Sequence, residues 1–217
     1  MLEDITNKSN IRLGNVRELL LKINDNNKKD IQDPTTKIYK GLFFIVLYGA
    51  FEYTIVNCVQ KCLFEINNKH CRIKDIKTTL YCLVFNNECN ALMDARNKKW
   101  EKRYELFSKI ENNSDECKII DSLSPIQQGN IKYNHLTSLW KIFDIPSEVI
   151  TDIKLRARFE ELVENRNAIA HGREPCASVG QRYTATDLEN IFEDISKYCS
   201  YVIETFKDYI INQEFKK

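Results

Sequence analysis

The chain has 217 residues, 43% hydrophobic and 29% charged, which suits one soluble globular domain able to bury a core without disulfides or metal. Only 6 Gly and 4 Pro are present, too few turn residues for a β-sandwich or barrel. Lys and Arg number 32 against 31 Asp and Glu, a net charge of +1, so any basic surface for a polyanion must be local.

The first ten residues, MLEDITNKSN, lack the basic-then-apolar layout of a secretion signal. Ser9 and Asn10 are the expected cap of a first helix bearing Ile11, Val16, Leu19, Leu20 and Ile23, with residues 24–29 as a loop. Asp33-Pro34-Thr35 opens a second helix running to about Ile66. It is apolar nearly all round and therefore central. Its longest apolar run, Leu42 to Phe51, ends at Glu52 and is shorter than the roughly 20 residues of a membrane span. No membrane is expected, and the location is expected to be cytoplasmic. A third helical stretch covers Asp75 to Met93, and a strongly charged fourth covers Asn97 to Ile110.

Asn112-Asn113-Ser114 marks a break, and the pattern weakens to Pro146 apart from a short helix around Leu136 to Phe143. Pro146-Ser147 restarts a helix reaching Ala170, and Gly172 to Tyr183 reads as a loop. Thr186-Asp187-Leu188-Glu189 has the form of a capping box that opens a last amphipathic helix through Ile210. The expected fold is all-α: one helical bundle over 1–217 with long second and last helices and a less regular insertion at about 112–146. The eight cysteines include no C-x-x-C pair, and Cys58 and Cys62 lie one turn apart in an apolar stretch. They read as reduced core thiols, with no metal site and no cofactor.

Two charges sit where the pattern wants apolar side chains. Leu155, Phe159, Leu162, position 166 and Ile169 form one stripe, and position 166 is Arg. A guanidinium there needs a partner or a ligand; snorkelling past the core edge or a structural ion pair would also satisfy it. Between Lys40 and Lys61 the lone charge is Glu52, among Phe44, Tyr48, Phe51 and Val56. It is expected to hydrogen-bond a group from another helix, with Arg166 and His171 the candidates. His171 follows Arg166 by five residues and precedes Gly172, a natural helix stop. The imidazole is therefore expected on the last turn, at the mouth of a groove.

The segment RNAIAHG, residues 166–172, within ELVENRNAIAHGRE, resembles the signature of the HEPN superfamily: Arg, a polar residue, a short spacer, then His at a helix end. The TATDLENIFEDI helix start resembles the segment that succeeds the motif in that family, and LYGAFEYTIVN around Glu52 resembles the first core helix of the RiboL-PSP-HEPN branch. The resemblance implies a helical bundle that forms a homodimer and cleaves RNA without metal. It also implies a toxin or phage-defence effector with a possible cognate antitoxin or defence partner. Arg166 and His171 match the catalytic positions and Asn167 the polar one, with Glu52 in support.

The chemistry suits these side chains. Imidazole moves protons near neutrality, and Arg offers a fork of donors that fits phosphate oxygens. One imidazole cannot be base and acid at once, so a two-fold dimer joining two motifs is the expected site. Arg156, Arg158, Arg173 and Arg182, near the motif in sequence, are the expected RNA contacts. Residues 96–103, RNKKWEKR, carry five basic residues against one Glu, with Trp100 interleaved and Tyr104 adjacent. A solvated face with Trp100 tucked into the core is the simpler expectation; phosphate binding with base stacking is the alternative. The rival to a nuclease is a non-catalytic helical module for dimerisation or nucleic-acid or nucleotide binding.

Overall fold

A helix that is apolar nearly all round must be covered on most of its faces, and one helix organises this chain accordingly. The computed structural model describes residues 2–29, 33–120, 123, 125 and 130–217. Helix α1 (Glu3–Lys29) and helix α2 (Pro34–Asn67) lie side by side. Asp33 caps α2: its Oδ2 accepts from the Thr36 N–H and hydroxyl, both at 2.8 Å, and Pro34 takes the first turn. Beyond α2 the chain forms two 3-10 turns, Ile73–Asp75 and Thr78–Leu80, then α3 (Tyr81–Val84), α4 (Asn86–Asp94), α5 (Lys99–Glu111), α6 (Tyr133–Phe143), α7 (Lys154–Ala170), α8 (Cys176–Gly180) and α9 (Ala185–Ile211). No strand is present among the described residues, only isolated bridges Arg72–Glu116 and Ile76–Lys216. The fold is all-α, with the second and last helices among the longest.

Helix α2 is packed by α1, α7, α8 and α9. Phe51 stacks on Phe159 at 5.5 Å between centroids, and Phe159 meets Tyr198 at 4.7 Å, so α2, α7 and α9 share one aromatic core. Cys58, Cys62, Cys117 and Cys199 are buried as free thiols, and burial raises the pKa of each. By length and composition α2 is also apolar enough to cross a membrane, a property shared by core helices; 61% of its most apolar window is buried against the rest of the chain.

Several sequence expectations need correction. Ser9 is not a cap: α1 begins six residues earlier, and the buried Ser9 hydroxyl shares a 2.7 Å hydrogen bond with that of Thr54 on α2. Residues 24–29 continue α1 rather than forming a loop, with Asn24 donating to Glu189 of α9 at 2.6 Å. The third helical stretch is divided into short turns and helices, and backbone donors at and just before its start are engaged elsewhere. The N–H groups of Ile73, Lys74 and Lys77 reach the carbonyls of Asp115, Asn113 and Phe215. Helix α7 starts at Lys154, not near Pro146; the Asp152 carboxylate accepts from its first N–H at 2.9 Å. The loop expected at 172–183 contains α8, pressed backbone to backbone on α2. A Cβ on Gly41 would strike the Cys176 carbonyl, and one on Gly180 the Lys37 carbonyl. The cap of α9 is Thr184, paired reciprocally with Asp187, so Thr186 lies inside the helix. Within the expected insertion, residues 121, 122, 124 and 126–129 lie outside the described residues.

Trp100 is also corrected. It is 79% exposed, not tucked into the core, and Tyr104 and Phe107 on the same helix are 75% and 66% exposed.

Candidate active site

The apolar stripe of α7 runs out of the core as the helix ends. Leu155, Phe159 and Leu162 are buried, whereas Arg166 and Ile169 are half-buried. Arg166 therefore keeps its stem in apolar surroundings and brings its head to the core's edge. There the guanidinium carbon lies 4.6 Å from the centroid of the Tyr48 ring on α2, a cation–π contact. Its Nη1 donates to Asn167 Oδ1 at 2.8 Å, and Asn167 Nδ2 donates to Asn130 Oδ1 at 3.2 Å. Arg166, Asn167 and the segment before α6 are thus joined in one chain of contacts.

Glu52 belongs to the same cluster. The Tyr48 hydroxyl donates to Glu52 Oε1 at 3.4 Å and accepts from the Ile131 N–H at 3.0 Å. Carboxylate and guanidinium share one phenol, the first facing its hydroxyl and the second its ring. Burial pushes the Tyr48 phenol up to about 12; the Ile131 N–H pulls the other way, Glu52 adds to the rise and Arg166 opposes it. Tyr48 is therefore a neutral phenol across the physiological range. Its ring stands against the Arg166 guanidinium.

His171 is the C-cap of α7, exposed, with its N–H on the Asn167 carbonyl at 3.1 Å. Gly172 follows at φ +68°, a left-handed turn that glycine adopts without cost. Its N–H reaches the Ile169 carbonyl at 3.0 Å, and the Glu174 N–H reaches that of Ala168 at 3.0 Å, so the helix end is closed and the imidazole held at the surface. One turn back, buried Asn165 donates to the Tyr183 hydroxyl at 2.7 Å and to the Glu161 carbonyl at 2.9 Å. That pins the stretch of chain after α8 to α7 and fixes the loop beside His171.

An open groove of about 440 Å³ lies against this helix, lined by Lys132, Tyr133, Asn134, Arg156, Glu160, Val163 and Glu164. Helical spacing puts Arg156, Glu160, Val163, Asn167 and His171 on one face of α7, so the groove lies on the face whose last turns carry Asn167 and His171. The four arginines expected to contact RNA are distributed differently. Arg156 lies in the groove, 5.2 Å from the Tyr133 ring and paired with Glu160 at 3.5 Å. Arg173 pairs with Glu164 at 3.0 Å on the groove's edge. Arg182 pairs with Glu174. Arg158, held by Glu161 and Asp194 at 3.0 and 3.2 Å, ties α7 to α9. The first three arginines are exposed, and a phosphate can exchange for such surface ion pairs at small cost.

Sequence reasoning missed Tyr48 and Asn130 as members of the cluster. Tyr48 stands one turn before Glu52, so the signal was the spacing itself; Asn130 sits in irregular chain with no periodicity to mark it. Among the described residues no group of three or more His, Cys, Asp or Glu is placed to hold a metal ion.

A family model described as RiboL-PSP-HEPN matches residues 8–212. No curated protein and no solved structure matches the chain.

Proposed function

The chain belongs to the RiboL-PSP-HEPN family, and from that premise we propose that it is a metal-independent endoribonuclease working through a composite dimeric Arg/His site. Family membership supports a nuclease or RNA-related role. The observation that carries the finer reading is the placement of Arg166. Its guanidinium is braced by the Tyr48 ring and Asn167, five residues before an exposed imidazole at the same helix end.

In this reading one His171 takes the proton from a ribose 2′-oxygen as that oxygen attacks phosphorus. The O2′–P bond forms and the P–O5′ bond breaks. The partner's His171, entering protonated, gives its proton to the leaving 5′-oxygen. Arg166 donates to the non-bridging oxygens, where charge accumulates as the phosphorus becomes five-coordinate. The products are a 2′,3′-cyclic phosphate and a 5′-hydroxyl.

A row on α2 supports the second copy. Ile38, Leu42 and Val46, spaced one turn apart, are 37–41% exposed, and exposed Gly49 continues the row beside Tyr48 and Glu52. An uncovered apolar row next to the site is a suitable two-fold contact. The same reading makes the protein a toxin or phage-defence effector restrained by a cognate partner protein.

The test is incubation of total RNA in EDTA with wild type, His171→Ala and Arg166→Ala. Wild type should cleave and leave 2′,3′-cyclic ends, with both variants down at least about a hundredfold. Equal cleavage by all three, or a strict need for Mg²⁺, would overturn the mechanism. Intact RNA throughout would favour the non-catalytic module.

A further inference from the structure

Helices α4 and α5 have no buried residue between them. Only Leu106 and Ile110 of α5 pack, half-buried, against the core. The outward face of α5 carries Trp100, Tyr104 and Phe107, at 79%, 75% and 66% exposure, and Met93 at the end of α4 is 75% exposed. Spacings of four and three residues place the three rings in one row. Successive rings are then about 6 and 4.5 Å apart along the axis. Three neighbouring aromatics in water on one short helix are not explained by this chain's own packing.

The charges beside this row are not symmetric. Lys99 and Arg103, also one turn apart, flank it, and the Arg103 guanidinium lies 4.6 Å from the Trp100 centroid. The acidic residues among them are engaged: Glu105 with Lys102 at 2.6 Å and Glu101 with Lys98 at 3.9 Å. Arg96, Lys99 and Arg103 remain as a local excess of positive charge in a chain whose net charge is only +1. A second copy docked face to face would set these cations against their own images, whereas a polyanion with flat apolar rings would meet both features at once.

We propose that the α4–α5 hairpin is a binding platform for single-stranded RNA, with bases stacking on Trp100, Tyr104 and Phe107 and phosphates held by Arg96, Lys99 and Arg103. The proposal rests on the ribonuclease reading for its choice of polyanion. The chain leaving α5 is tied to the end of α2 far from the Arg166 cluster: Asn67 holds Ile119, and the Cys117 N–H donates to the carbonyl of Cys71, just past that end. Tyr48 and Asn67 are 19 positions apart on α2, about 28 Å along its axis. The platform therefore serves capture of the strand rather than bond cleavage.

The experiment is fluorescence anisotropy of a labelled oligouridylate in EDTA, using the full chain with His171→Ala so that the RNA stays intact. Trp100→Ala, in that background, should weaken binding about tenfold, as loss of one stacked base predicts. Trp100→Phe should stay within about threefold of the parent because a stacking ring remains. Lys99→Gln with Arg103→Gln should flatten the salt dependence, lowering the slope of log K on log salt by about 1.4. Both aromatic changes are at one exposed position, and circular dichroism should be unaltered. Undiminished affinity in Trp100→Ala overturns the platform, as does a change of oligomeric state without a change in RNA affinity. Cleavage by wild type is scored separately. Cleavage with undiminished Trp100→Ala affinity sinks the platform alone; weakened affinity with no cleavage sinks the nuclease alone.

Discussion

Tyr48 decides how the arginine is held. Its ring faces Arg166, and its hydroxyl bridges the Ile131 N–H and Glu52, so the two halves of the side chain can be separated by mutation. Tyr48→Phe keeps the ring but strands the Ile131 N–H, and should cost about 1–3 kcal/mol of stability, read as a lower thermal midpoint, while cleavage stays within a few-fold. Tyr48→Leu removes the π face and should lower cleavage at least about tenfold, measured on the same RNA. The opposite ranking would mean the hydroxyl, not the ring, serves the site. Arg166 and Glu52 were legible in the sequence because a charge on an apolar stripe is costly without a partner, and Asn167 through its place in the motif. Tyr48 was legible only as an apolar neighbour, since no periodicity says which face of a ring a distant guanidinium will choose. Trp100 misled for a related reason: an amphipathic pattern marks an apolar face but does not say whether anything in the chain covers it.

At the scale of elements, the long helices were readable from spacing, and the errors fell where two local caps competed or where tertiary partners override local signals. Thr184 rather than Thr186 caps α9 because its hydroxyl and N–H both meet Asp187. Thr184→Ala should cost about 1 kcal/mol, a fall of roughly 2–4 °C in thermal midpoint for a chain of this size, and Thr186→Ala should cost almost nothing. Hydrogen bonds from Thr184 also hold the Asp187 carboxyl below its ordinary value of 3.8. The stability this contributes is complete above that value and is lost as pH falls through the lower folded value. The gap in stability between wild type and Thr184→Ala should therefore narrow in acid below about 3.8 and hold constant near neutrality. The hidden α8 has its own test. Gly41→Ala drives a Cβ into the Cys176 carbonyl and should cost about 1–3 kcal/mol while loosening the loop that carries His171, read as lower thermal stability and weaker cleavage together. Nothing in the isolated segment 172–183 marks that backbone contact, because it depends on a glycine 135 positions earlier (176 minus 41).

At the scale of the molecule, one long apolar helix sets the arrangement. Its covered faces build the core, and its uncovered row, Ile38, Leu42, Val46 and Gly49, adjoins the Arg166 cluster. Val46→Glu should leave the monomer's helical content intact, shift the protein to half its mass by light scattering and lower cleavage in step; a dimer unaffected by the charge would place the contact elsewhere. The bundle was legible in the sequence because helical periodicity is local. The proposed contact between copies was not, because an apolar row buried between chains leaves the same mark as one buried within a chain. The central claim is that two His171 imidazoles act on one phosphodiester, and it is tested by mixing wild type with His171→Ala through co-refolding and following RNA cleavage against the wild-type fraction. A shared cleft predicts that activity falls as the square of that fraction, to about one quarter in an equal mixture. A linear fall, to about one half, would mean that each subunit cleaves alone and would contradict the account.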